Sequence, residues 1–173
     1  MKRKGRVLAA LLAVASVLAF TGCSVRAQTA FTIDGNVTTI SQVNDTINGC
    51  AAAYGNTPAD WPAQTIADAM IVVQLSRTIA QEQKTQTSDA DLTLMIQNGQ
   101  IPGLSPEILN DPTCADLGVG MGLQALLVFQ MGSDQFLAAV QNHSVVVNPR
   151  FGAWDPSTLM LNGTGSLSQV ATG

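Results

Sequence analysis

Apolar residues recur at helical spacing through most of this chain and alternate at strand spacing near its two ends. Residues 31–38 place β-forming side chains around Asp34 and Gly35, a pair suited to the positive φ angles of a tight turn, and predict a hairpin. Thr39 and Gln42 then stand at capping-box spacing. Ile40, Val43, Ile47, Cys50, Ala51 and Tyr54 share one face of the helix that follows, to about residue 54. Two prolines mark residues 55–62 as a loop. Residues 63–84 predict a second helix. Its stretch 66–75 is apolar nearly all round, as in a helix contacted from several sides. Ser88, with Asp89 and Asp91 in the first turn, opens a third helix that stops at Asn98 and Gly99. Residues 104–110 read as one or two helical turns. Residues 114–131 and 133–143 give two more helices, split by Gly132. Val145, Val146 and Val147 form a short strand that Pro149 stops. An isolated strand does not survive, so its natural partner is the strand at residues 31–33. The expected fold is mainly α, a helical bundle with a small β pairing between the N- and C-terminal strands.

The first residues read as an address rather than a part of that bundle. Lys2, Arg3, Lys4 and Arg6 form a basic start, and residues 7–20 are apolar apart from one serine. That run of roughly 14 residues is shorter than the ~20 a membrane-spanning helix needs. It ends in Ala19, Phe20, Thr21, Gly22 and Cys23, which looks like a lipobox: small residues lie extended in a signal peptidase and the following thiol receives diacylglycerol. Phe20 stands where leucine is usual. Plain secretion, with cleavage after Val25, Arg26 and Ala27, is the competing reading. The expected divisions are a signal peptide at 1–22, a tether at 23–29, a folded domain at 30–161 and a Gly/Ser/Thr-rich flexible tail at 162–173. Lipid at Cys23 would make the membrane a partner and place the domain on its extracytoplasmic face.

Charge narrows the partners. Four of the eight basic residues lie before Cys23, so the mature chain keeps Arg26, Arg77, Lys84 and Arg150 against twelve acids, a net charge of −8. So acidic a body repels phosphate backbones, which argues against nucleic acid. With 46% hydrophobic residues in 173, there is material for one sizeable core. Four Asn-x-Ser/Thr sequons, starting at Asn36, Asn44, Asn142 and Asn162, read as chance in a chain so rich in Asn and Thr.

Cys50 and Cys114 remain once Cys23 is assigned to lipid. An even pair in an oxidising compartment reads as a disulfide, with buried free thiols as the alternative. It would close a loop of roughly 65 residues, worth ~4 kcal/mol on the chain-entropy model less any strain. No metal site is expected: there is no Cys/His cluster, and His143 is a lone histidine without a partner. Gly118, Gly120 and Gly122 invite a phosphate-loop reading. No strand precedes them and no Gly-Lys-Ser/Thr ending follows, so close helix packing is the better account. Asp89 and Asp91 suit a helix start better than a pair of catalytic carboxylates. Met70, Met95, Met121 and Met131 read as core, with an adaptable binding groove as the alternative. No serine has a catalytic setting. No catalytic residue and no cofactor is expected.

From about residue 30 to 155 the chain resembles the N-terminal domain of SurA-type chaperones, found in parvulin foldases and in SurA-like lipoproteins of actinobacteria. Phe31 to Gly35 followed by Thr39 to Val43 is similar to the family's opening. Residues 67–80, then Thr87 to Asp91, are similar to its long helix and the joint after it. Residues 133–140 resemble its last helix. Val145 to Asp155 is similar to the actinobacterial closing segment and carries the most specific likeness. The resemblance implies a SurA-type peptide-binding helical fold and, as partners, unfolded or exported polypeptides. In full foldases a parvulin domain follows this segment, and here the sequence stops soon after Asp155, so no prolyl isomerase is expected. Within the closing motif Asn148, Pro149, Arg150, Phe151, Gly152, Trp154 and Asp155, the local reading is structural. Pro149 ends the strand, Phe151 and Trp154 pin the tail to the helices, and Arg150 pairs with an acid such as Asp155. Two functions compete: a membrane-anchored holdase, and a structural or assembly lipoprotein that docks one cell-envelope partner.

Overall fold

A computed structural model describes residues 27–163, so the expected signal peptide, Cys23 and most of the 162–173 tail lie outside the described residues. Strand β1 (Thr29–Ile33) pairs antiparallel with β2 (Asn36–Thr39) across Asp34 and Gly35, whose φ angles are 49° and 84°. Both central residues of this turn lie in the left-handed region, which Asp tolerates and Gly favours. Strand β3 (Val145–Val147) lies on the other side of β1, with Phe31 opposite Val147, Thr32 opposite Val146 and Ile33 opposite Val145. The sheet order is therefore β2-β1-β3, and the two ends of the helical region meet as the pattern predicted.

Five helices fill the space between. Helix α1 (Ile40–Tyr54) opens on the capping box: the Gln42 N–H donates to Thr39 Oγ1 at 3.2 Å and the Thr39 N–H donates to Gln42 Oε1 at 2.8 Å. Gly55, at φ 67°, ends it. Helix α2 (Ala63–Glu82) buries Ile66, Ala67, Ile71, Val72, Val73, Leu75 and Ile79. It touches α1, α4, β1 and a C-terminal strand, which is why its apolar stretch is not confined to one stripe. Helix α3 (Asp89–Gln97) carries the Ser88 cap, with the Asp91 N–H donating to Ser88 Oγ at 3.2 Å. A 3-10 turn (Pro106–Asn110) leads to α4 (Pro112–Met131), and Gly132 at φ 86° separates it from α5 (Ser133–Val140).

Two helix ends differ from expectation. Helix α4 starts at Pro112 rather than 114, because the Asp111 carboxylate accepts from the N–H groups of Thr113 and Cys114 at 2.8 and 3.3 Å. Asp followed by Pro is an N-cap and first-turn signal in its own right. Helix α5 ends at Val140 rather than 143, since Asn142 and His143 close tighter turns onto Ala139 and Val140.

The glycines of α4 are packing sites. Gly118, Gly120 and Gly122 are buried, and a Cβ at each would meet Ile108, Val73 and Ile101 respectively. Three neighbours thus approach the α4 backbone: the 3-10 turn, α2, and the chain after α3. The spacing that mimicked a phosphate loop is a record of these approaches.

The tail corrects the expected boundary at 161. Strands β4 (Ala153–Asp155) and β5 (Met160–Asn162) form a second hairpin. Leu161 is buried, its N–H donates to Asp68 Oδ1 at 3.0 Å, and Gln64 Nε2 donates to the carbonyls of Leu161 and Gly163 at 2.9 and 3.0 Å. Asn162 and Gly163 belong to the folded body.

Candidate functional site

The residues singled out in the sequence fall into three places. The first is the junction of α1 with the start of α4. Cys50 and Cys114 are both fully buried, and their sulfurs lie at bonding distance with Cα atoms 4.7 Å apart. Gly49, one residue before Cys50, makes the approach possible. A Cβ there would collide with Thr113 Oγ1 and Asp111 Oδ1. A glycine inside an otherwise good helix, next to a cysteine, was the available sign of close contact, and the periodicity argument passed over it.

The second place is the closing segment. Asn148 is its anchor: the backbone N–H donates to the Ala30 carbonyl and side-chain Nδ2 donates to the Thr29 carbonyl, both at 2.8 Å, while Oδ1 accepts from the Arg150 N–H at 3.1 Å. Pro149 then turns the chain into a 3-10 turn (Pro149–Phe151) that packs on α2. Phe151 is buried, and Trp154 is half-buried against the same core. Gly152 sits at φ 107° with the Asn162 carbonyl 2.6 Å from where a Cβ would be. Glycine is required on both counts.

One expectation here fails. Among the described residues Arg150 has no ion pair: Asp155 instead accepts from the Ser157 N–H and hydroxyl, and from Asn162 Nδ2 at 3.2 Å. The hydrogen bonds from Ser157, side chain then backbone, hold the Asp155 carboxyl below its usual range. A local turn satisfies the acid, and the arginine stays exposed in solvent.

The third place is one that sequence reasoning dismissed. His143 is not partnerless. Its side chain is 7% exposed, and Nδ1 lies 2.7 Å from Asp34 Oδ2, the acid of the β1–β2 turn. Asp34 Oδ1 accepts from the Ser144 N–H at 2.8 Å, and its own N–H donates to the Ser144 carbonyl at 2.9 Å. The Ser144 N–H first, and the His143 side chain second, hold the Asp34 carboxyl below its ordinary range. On the other side of the ring Nε2 is buried without a hydrogen bond, 3.8 Å from Glu82 Oε2. Among the described residues no nucleophilic hydroxyl or thiol meets that nitrogen, so they supply two members of a triad at most. What it does is staple the N-terminal hairpin to the chain leaving α5. A separation of 109 residues leaves no local sign of it in the sequence.

Two surface features remain. The outer face of the three-stranded sheet holds a groove of about 590 Å³ lined by Thr29, Thr32, Val37, Val146, Asn148 and Pro149 among others. Cross-strand register sets Val37, Thr32 and Val146 in one row, and the two valines are 50% and 63% exposed. On the helical side Leu94 of α3 is 56% exposed and Phe129 of α4 is 87% exposed. Of the four methionines weighed for a groove, Met70, Met95, Met121 and Met131 all pack half-buried against the core. Among the described residues no three metal-ligating side chains cluster. No protein-family model, curated protein or solved structure matches the chain.

Proposed function

We propose that this chain is a lipid-anchored, extracytoplasmic, non-enzymatic protein of the SurA N-terminal kind that holds apolar segments of unfolded or exported polypeptides. The observation that carries the reading is Phe129. This phenylalanine is the most exposed large apolar side chain among the described residues, and it stands on a helix apolar enough by length and composition alone to cross a membrane. Helix α4 is also the element that most of the bundle packs against, so Phe129 stands on a rigid support. Aromatic side chains on rigid elements are the usual anchors of protein contacts. The resemblance of residues 145–155 and of the opening segment to SurA-type domains supports the same reading, as does the lipobox ahead of Cys23.

Suppression of aggregation tests it. A chemically denatured client diluted into equimolar protein should scatter less light than alone, and Phe129→Ser should lose the effect while keeping its circular dichroism spectrum. No suppression by the wild-type protein would end the holdase reading. A single stoichiometric partner on pull-down, in that case, would establish the assembly lipoprotein instead. The anchor is tested separately. Cys23→Ala should move the protein from membrane to soluble fraction, and a native protein that begins at Gln28 without lipid would refute it. A proline-peptide assay should show no acceleration over the uncatalysed rate.

A further inference from the structure

We infer that the outer face of the β2-β1-β3 sheet is the surface that lies on the bilayer, with Val37 and Val146 against the lipid headgroup and acyl boundary. This rests on the reading of Cys23 as the lipidated residue and adds an orientation to it.

Chain length is the first argument. Thr29, the first residue of β1 and a wall of the groove, comes six chain steps after Cys23. At ~3.5 Å per residue they reach about 20 Å at full stretch. A domain of this size measures roughly 35–40 Å across. The leash is shorter than the body it holds, so the surface around Thr29 faces the membrane and the far side of the domain cannot.

Chemistry is the second. The exposed row Val37, Thr32, Val146 is apolar or uncharged, and Pro149 and Asn148 continue it toward the tether. Among the described residues no carboxylate lines the groove, although the mature chain carries twelve. The acid of the same sheet, Asp34, sits in the turn at the opposite end of β1 from Thr29 and is held by His143 and Ser144.

Charge placement is the third. Arg77 is committed to Asp116 at 2.6 Å, and Lys84 follows α2. Arg150 is exposed directly after Pro149, beside this face, and Arg26 comes three residues before Thr29 in the sequence. A net acidic domain thus presents an exposed arginine and an uncharged strip to an anionic surface, an arrangement that membrane electrostatics favours.

The experiment uses the lipidated protein in vesicles of phosphatidylethanolamine and phosphatidylglycerol. Val146→Cys and, separately, Leu94→Cys are labelled with a polarity-sensitive fluorophore, each variant being checked for native circular dichroism. Vesicles with and without doxyl-labelled lipid are compared. The Val146 probe should shift to the blue on reconstitution and be quenched several-fold more than the Leu94 probe. Val37→Asp in the Val146-labelled protein should reduce that quenching. Equal quenching at the two positions, in protein that still floats with the vesicles, would overturn the orientation and leave the anchor intact. Concentration-dependent self-quenching of the Val146 probe would assign the face to a second copy of the chain and overturn it equally. Failure to float would remove the anchor, and the orientation with it.

Discussion

The packing of the helical body on α4 and the closure of the chain ends hold the same domain together by different means. At the first, Cys50 meets Cys114 and three glycines let neighbours settle on the α4 backbone. Little there is directional. Volume decides, and the cost of error is a clash or a cavity. At the second, Asn148 hydrogen-bonds to Thr29 and Ala30, Asp34 holds His143 and Ser144, and Gln64 and Asp68 hold Leu161 and Gly163. Here geometry decides, because each lost partner leaves a polar group without one. The comparison teaches that pattern alone specifies where the helices run, whereas the domain closes only when particular side chains arrive together.

Deleting the closure should have the largest effect. A chain cut after Asn142 loses His143, β3, Phe151, Trp154 and both strands of the second hairpin. It should show no cooperative thermal transition by circular dichroism. A chain cut after Gly163 should melt within a degree or two of the full domain. A cut after Leu161 should lie between, because Asn162 and Gly163 are tied to Asp155 and Gln64. Full stability in the Asn142 truncation would mean that the helical body stands alone and the closure is ornament.

Next in size is the covalent link. The Cys50→Ala/Cys114→Ala protein should lose ~4 kcal/mol or somewhat less, because the bond closes a loop with a sequence separation of 64. Its melting temperature should fall by many degrees, and non-reduced native protein should be two protons lighter by mass than reduced. Alkylation of both thiols without reductant would refute the link itself.

Gly120→Ala sharpens the comparison by setting two small effects against each other. Alanine in a helix gains about 1 kcal/mol over glycine. A Cβ at this position meets Val73, and overpacking costs typically ~1–3 kcal/mol. The expected outcome is net destabilisation in urea, with an unchanged slope against denaturant. Net stabilisation would show that the α2–α4 contact yields easily and that volume is not what fixes the packing on α4.

The two regions also differed in how far the sequence revealed them. Helical periodicity located α1 to α5 to within a few residues, because burial of one face repeats along the chain and leaves a pattern. Thr39, Gln42 and Ser88 announced their helix starts because capping is a local matter. The pairing of residues 31–33 with 145–147 followed from the requirement that a short strand find a partner. What stayed hidden was long-range and singular. Nothing near His143 signals Asp34, and nothing near Leu161 signals Asp68 or Gln64. The β4–β5 hairpin was missed because three-residue strands among Pro156, Ser157 and Thr158 give too short an alternation to register. For the surface, Phe129 lay within an apolar helix whose pattern gave no sign of which residues remain uncovered.

The smallest effect tests the staple at Asp34. In the native fold the Ser144 N–H and the His143 ring stabilise its ionised form, so its folded pKa lies below the unfolded value of 3.8. A depressed carboxyl contributes stability that is present above the unfolded pKa and is lost as pH falls through the folded one. Asp34→Asn keeps a residue that tolerates φ 49° and keeps an oxygen for the Ser144 N–H. It removes the charge and places an amide N–H against His143 Nδ1. The acid accepts from an Nδ1–H; the amide requires Nδ1 to accept, which moves the ring proton to Nε2, toward Glu82 3.8 Å away. The site is solvent-screened, so the melting temperature should drop only on the order of one or two degrees at pH 7. That gap should close as pH falls below about 4. Nitrogen-resolved NMR of His143 should show the Nδ1-protonated form in the native protein and the Nε2-protonated form in the variant. An unchanged tautomer with an unchanged melting temperature would mean that the 2.7 Å contact holds nothing, and that the closure depends on Asn148 and the aromatic anchors alone.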